Sequence, residues 1–159
     1  MRTAVFPGSF DPFTIGHKDI ADRALKIFDR VIIGIGYNIN KPGKSPVEER
    51  IKAISKIYED EPLVSVMSYT GLTVEFAKKH NAGFIVRGIR EVKDFEYERN
   101  LADTNSAISD IETVFLAARP EFGFVSSSMV RELDANGYDV SKFLPTAESD
   151  YTSSQKTKI

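Results

Sequence analysis

The chain has 159 residues, 42% hydrophobic and 28% charged, a length and balance that suit a single globular domain, 1–159, with a core of its own. A formal net charge of -2 and an isoelectric point near 5.7 exclude the broad basic surface that general nucleic-acid or anionic-membrane binding requires, so a polyanionic ligand must be met by a local cluster of cations. The absence of cysteine excludes disulfides, thiolate catalysis and cysteine metal clusters, and with two histidines a metal-centred site is not expected.

No segment reads as a signal peptide and no apolar run approaches the roughly 18 residues of a membrane span, so a cytoplasmic location is expected. In chain order, Thr3 to Phe6 reads as a short buried strand, followed by the loop Phe6-Pro7-Gly8-Ser9-Phe10-Asp11-Pro12-Phe13-Thr14-Ile15-Gly16-His17. Two prolines inside it and two glycines bend the backbone and leave N–H groups free to face a ligand. A helix starts near Gly16, with Ile20, Ala21, Ala24, Leu25 and Phe28 on one face; its dipole and unpaired N–H groups favour an anion there, and His17 adds a side-chain donor.

Further strands are predicted at Val31 to Ile35, Leu63 to Met67, Phe84 to Val86 and Thr113 to Ala117, each followed by a helical pattern. Lys41, Gly43 and Lys44 lie in the loop after the second strand. Ser45-Pro46-Val47-Glu48 predicts a capping box, with a stripe of Val47, Ile51, Ile54 and Tyr58 behind it. A third helix holds Val74, Phe76 and Ala77 and ends at His80-Asn81-Ala82-Gly83, where His80 reads as a cation at a helix C-terminus. A fourth runs from about Asp94 through Leu101 toward Ile108. Before it, Arg87-Gly88-Ile89-Arg90 follows the fourth strand, and an arginine directly after a buried valine calls for an anionic partner. Phe124-Val125-Ser126-Ser127-Ser128-Met129-Val130-Arg131 offers three hydroxyls at the start of a last helix, more than a cap needs. From about residue 145 the chain is a polar tail that reads as frayed.

About five such units imply an α/β fold: a Rossmann-like, doubly wound parallel sheet of about five strands with helices on both faces. Ligands bind such sheets beyond the carboxyl ends of the strands, at the switch in strand order.

The pair PGSFDPFTIGH and SSSMVR resembles the two signatures of the nucleotidyltransferase superfamily. NKPGKSPVEER together with GLTVEFAKKHNAGFIVRGIREVKDFEYE is similar to the bacterial phosphopantetheine adenylyltransferases, and VRGIR followed by DFEYE is the family-specific part. The resemblance runs from Thr3 to Leu144. It implies adenylyl transfer from ATP to 4'-phosphopantetheine, in coenzyme A biosynthesis, with magnesium carried on the ATP phosphates and a homohexameric assembly. It also implies roles for residues. Ser9 and His17 face the reacting phosphates, with Phe10 beside the nucleotide. Lys41 grips the phosphates, although NKPGKSP departs from the more usual lysine pair before proline and leaves Lys41 or Lys44 open for that contact. Thr73 and Arg87 meet phosphopantetheine. Gly88, Ile89, Arg90 and Glu98 hold ATP, and Phe122, Gly123, Phe124, Val125, Ser126, Ser127 and Ser128 close over the nucleotide. The catalytic set is then His17, Lys41, Arg90 and Ser9. Two rival readings use the same residues: nucleotidyl transfer to another phosphorylated acceptor, and a non-catalytic nucleotide sensor.

Overall fold

A computed structural model describes residues 1–41 and 43–145. Its elements alternate along the chain: β1 (Thr3–Gly8), α1 (Ile15–Ala24), β2 (Arg30–Gly36), α2 (Val47–Ile57), β3 (Val64–Tyr69), α3 (Thr73–Lys79), β4 (Phe84–Ile89), α4 (Val92–Ile108), β5 (Glu112–Ala117) and α5 (Ser127–Ala135). The strands form one sheet in the order β3-β2-β1-β4-β5, and every pairing is parallel. The chain winds outward through β2 and β3, then returns to the other side of β1, so the switch in strand order lies between β1 and β4. This is the doubly wound sheet that the strand-helix rhythm predicts.

Alternating side chains divide the core between the two faces. Ala4 and Phe6 of β1, Val31, Ile33 and Ile35 of β2 and Val86 of β4 pack with Ile20, Ala21 and Ala24 of α1 and with Ile54 and Tyr58 of the α2 segment. Val5, Ile32 and Ile85, the intervening residues, pack with Val74, Phe76 and Ala77 of α3. A third, smaller cluster joins Val125 and Val130 to Val140 and Phe143. Helices therefore cover both faces.

Several boundaries differ from the sequence reading. The first strand continues through Pro7 and Gly8 because β2 supplies partners up to Ile35. Likewise Arg87, Gly88 and Ile89 belong to β4, paired with Phe115, Leu116 and Ala117, where the sequence reading ends the strand at Val86. Helix α1 stops at Ala24, so Phe28 is buried from a following turn and not from the helix face. Helix α4 starts two residues before Asp94, at Val92. The expected capping box at Ser45 does not form: Pro46 is the N-cap of α2 and no side-chain cap closes the first turn. The reason is competition, because the Ser45 N–H that a box would give to Glu48 donates instead to Asp11 Oδ1. At the end of α3, His80 is the C-cap and Asn81 takes φ +54, as the Asn-Ala-Gly sequence suggests. Of the predicted polar tail, residues 146–159 lie outside the described residues.

Candidate active site

Two cavities meet at the carboxyl ends of β1 and β4. The larger, 380 Å³, is lined by Ser9, Phe10, His17, Arg87, Gly88, Arg90, Asp94, Glu98, Phe122, Val125, Ser126, Ser127, Ser128 and Arg131 among others. The smaller, 140 Å³, is bordered by Tyr69, Thr73, Tyr97, Leu101, Asn105 and Thr113, and shares Pro7, Gly8, Arg87 and Glu98 with the first.

The loop after β1 builds the floor. Phe10 is buried at φ +48, a left-handed conformation that a non-glycine residue holds only when its surroundings fix it. Its ring lies over Gly8, where an added Cβ would fall 2.8 Å from two ring carbons. Thr14 is the N-cap of α1. Its hydroxyl accepts from the His17 N–H at 3.3 Å, while its own N–H donates to His17 Nδ1 at 2.9 Å. His17 thus occupies the position that glutamate takes in an ordinary capping box. An Nδ1 that accepts a backbone N–H is unprotonated, so in the neutral ring the proton is on Nε2, the nitrogen left to donate to a ligand. Phe10 meets the imidazole edge-on at 5.1 Å and Phe13 stacks on it at 5.6 Å. Burial first, then the charges of Arg87 and Arg90, push the His17 pKa down to about 4, and the ring is neutral at pH 7.

The opposite wall comes from α5, and its three serines divide their work. Ser126 is the N-cap, its hydroxyl accepting from the Met129 N–H at 3.1 Å. Ser127 Oγ donates to the Pro12 carbonyl at 2.7 Å, which ties α5 to the first loop. Ser128 Oγ lies 3.2 Å from Ser126 Oγ at the cavity surface. Arg131, one helical turn on, donates through Nη1 to the Asp11 carbonyl at 2.7 Å. Arg131, like Asp94, is a cavity residue that the sequence reading left without a role; its spacing of three after Ser128, on the same face of a helix, is the signal that finds it.

Two arginines project from the β4 end, each with a carboxylate. Arg87 donates through Nε and Nη2 to Glu98 at 2.8 and 2.6 Å, and through Nη1 to the Pro7 carbonyl at 2.6 Å. The anionic partner that the buried valine called for is thus in the chain itself. Arg90 donates to Asp94 Oδ2 from its backbone N–H at 3.1 Å and from Nε at 3.2 Å. Burial alone would raise the Asp94 pKa; the hydrogen bonds from Arg90 outweigh it and hold the carboxyl below its usual range.

The structure gathers Ser9, Phe10, His17, Arg87, Gly88, Arg90, Glu98, Phe122, Val125 and all three serines around the larger cavity, and places Thr73 on the smaller one. Ile89, Gly123 and Phe124 are not among its lining residues, and Phe124 packs edge-on against Phe143 with 65% of its surface exposed. Lys41 and Lys44 line neither cavity; both are exposed, with the Lys41 N–H donating to the Asn38 carbonyl. Among the described residues, no group of three or more His, Asp or Glu side chains is placed to hold a metal ion, and no helix is long and apolar enough to cross a membrane.

The cytidylyltransferase-like family model matches residues 5–133. A phosphopantetheine adenylyltransferase of Bacteroides fragilis is 52% identical over 145 residues, covering 91% of this chain and 97% of the relative. The chain belongs to the phosphopantetheine adenylyltransferase family. Another phosphopantetheine adenylyltransferase, from Leuconostoc citreum, is 49% identical over 151 residues, covering 94% of this chain and 96% of that one. The fold reaches further. A crystal structure of a bifunctional NMN adenylyltransferase/ADP ribose pyrophosphatase from Francisella tularensis superposes with a TM-score of 0.72 at 20% identity; the match takes in 98% of this chain and spans about half, 49%, of that one.

Proposed function

We infer that this chain, as one nucleotidyltransferase domain, transfers the adenylyl group of ATP to 4'-phosphopantetheine, giving dephospho-coenzyme A and pyrophosphate in coenzyme A biosynthesis. Identity near 50% along more than nine-tenths of the chain to phosphopantetheine adenylyltransferases carries the reading. The paired cavities agree with it: two polyanionic substrates need two adjoining pockets that share one cationic wall, and Arg87 lines both.

An oxygen of the acceptor's phosphate attacks the α-phosphorus of ATP, a new P–O bond forms, and the bond to the bridging oxygen breaks with its electron pair leaving on pyrophosphate. A phosphate monoester with a second pKa near 6 is already largely dianionic at pH 7, so no general base is required. The barrier is repulsion between two polyanions and the charge that shifts onto the leaving oxygens. Catalysis then rests on positioning and electrostatic stabilisation. His17 Nε2–H donates to the α-phosphate, Arg90 and Arg131 face the phosphates with Ser9, and the α5 N-terminus with Ser128 receives the distal ones. Lys41 or Lys44 adds a cation from the loop after β2. Thr73 and Arg87 hold the acceptor, while Gly88, Ile89, Glu98 and residues 122 to 128 hold the nucleotide. Magnesium enters as part of MgATP, with its waters and phosphate oxygens as ligands.

We place this reaction in the cytoplasm and in a homo-oligomer, a hexamer by family resemblance. In support of assembly, Glu98 is the buried residue of α4, while Val92, Phe95, Tyr97, Leu101 and Ile108 of the same helix are exposed. The decisive assay supplies MgATP and phosphopantetheine to the purified protein and follows dephospho-coenzyme A and pyrophosphate together. Turnover with a different phosphorylated acceptor and not with this one overturns the substrate. ATP binding without pyrophosphate would mark a sensor.

A further inference from the structure

Neither Asp11 nor Arg50 is among the lining residues of the two cavities described above, yet both are charged and each is only 6% exposed. Among the described residues, the hydrogen bonds of these two side chains run to the main chain of two loops. Asp11 Oδ2 accepts from the Lys44 N–H at 2.7 Å, and Oδ1 accepts from the Ser45 N–H at 3.2 Å. Arg50 Nη1 donates to the Ser9 carbonyl at 2.7 Å and Nε to the Ser45 carbonyl at 3.1 Å. The carboxylate of the first loop thus grips the amides of the lysine loop, and a guanidinium of α2 grips carbonyls of both. Gly43 fits between them: an added Cβ would lie 2.7 Å from Asp11 Oδ2 and 3.0 Å from Arg50 Nη2.

Burying two ions is an expensive way to gain stability, since apolar side chains of similar volume serve as well or better. What the pair supplies is position. The Asp11 carbonyl is itself fixed by Arg131, so one residue joins the α5 wall, the His17 loop and the lysine loop.

We propose that Asp11 and Arg50 are positioning residues for adenylyl transfer, clamping the main chain at Lys44 and Ser45 so that the lysine loop presents its ammonium to the reacting phosphates. This rests on the proposed reaction and on a lysine of that loop meeting the anions. Asp11→Asn keeps the shape of the side chain but turns an NH2 toward one of the two amides, and Arg50→Lys keeps the charge but loses the fork of donors. Both substitutions lower kcat about tenfold or more and change the KM for ATP less than about threefold. In a Lys41→Ala/Lys44→Ala background the further loss from Asp11→Asn falls below about twofold, because a residue acting through the lysines has nothing left to position. A loss that stays tenfold there overturns the proposal, as does a wild-type kcat in Asp11→Asn.

The clamp also has a readout that needs no turnover and therefore separates its failure from failure of the proposed reaction. Trypsin cleavage between Lys44 and Ser45, measured by mass against cleavage at exposed Lys26, rises tenfold or more in Asp11→Asn; an unchanged ratio refutes the clamp. Should Asp11→Asn prove insoluble, Gly43→Ala forces the same carboxylate aside and is expected to give the same kcat loss and the same tryptic nick, and a wild-type result for it refutes the clamp equally.

Discussion

Arg87 and Glu98 face each other in a two-point pairing, Nε to Oε2 at 2.8 Å and Nη2 to Oε1 at 2.6 Å, on the wall common to both cavities. A β4 side chain that should meet the acceptor's phosphate is therefore held in place by the α4 carboxylate that should meet ATP. Removing either partner leaves a largely buried ion unpaired. Glu98→Ala is expected to destabilise the protein by about 3 kcal/mol in urea unfolding, and Arg87→Ala by a similar amount. The double variant falls well short of the sum; additive losses would show that the pair is not coupled. In kinetics, Arg87→Ala weakens phosphopantetheine far more than ATP. Equal losses for both substrates remove Arg87 from the acceptor side.

His17 acts as a neutral donor. Removing it by His17→Ala should lower kcat about 10² to 10³-fold, about 3 to 4 kcal/mol, with Michaelis constants moving much less. His17→Asn retains part of the rate by offering an amide N–H. A large rise in the KM for ATP at unchanged kcat would reduce His17 to a binding residue.

The same residue predicts a pH dependence of stability. Its folded pKa of about 4 lies below the ordinary 6.5, so between those values the unfolded chain binds a proton that the folded chain does not. The stabilisation from keeping His17 neutral is complete above about pH 6.5 and is lost as pH falls toward 4. Thermal unfolding between pH 6.5 and 5 should therefore show a shallower slope for His17→Asn than for wild type. Parallel slopes would mean that His17 titrates normally in the fold.

The serines at the start of α5 should separate by assay. Ser126→Ala removes a cap and costs about 1 kcal/mol of stability. Ser128→Ala leaves the melting temperature near that of wild type and raises the KM for ATP about tenfold, the loss of one hydrogen bond to a charged group. If Ser128→Ala destabilises and Ser126→Ala does not, the division of labour is reversed.

With an acceptor that is already nucleophilic and no cysteine in the chain, transfer is expected to be direct. ATP carrying a chiral α-phosphorothioate should react with inversion. Retention, or label remaining on denatured protein, would demonstrate a double displacement.

Much of the fold was legible because the strand cores are continuous apolar runs: Val31 to Ile35 and Phe84 to Val86 have no alternative use in a chain this polar elsewhere. What escaped were boundaries set by a neighbour. Arg87 reads as the start of a loop until β5 supplies partners for it, and Ser45 reads as a cap until a carboxylate 34 residues earlier takes its N–H. The site was legible where the chemistry is local, as in the loop around His17 and the serine run. Arg131 gave only its place in the SSSMVR signature and a helical spacing, not the carbonyl it binds, and the Glu98 partner of Arg87 is 11 residues away on another element. Pairings between elements depend on how helices dock, which periodicity alone does not encode.

The ties from Ser127 and Arg131 to the carbonyls of Pro12 and Asp11 reach back 115 and 120 residues. A growing chain emerges from the ribosome N-terminus first, so the loop carrying His17 is made more than a hundred residues before the contacts that fix its shape. β1 also waits for β4, its neighbour across the switch in strand order. Truncated chains ending before α5 would thus present a phosphate loop without its back wall, and nucleotide binding should appear only once the chain has been made past residue 131.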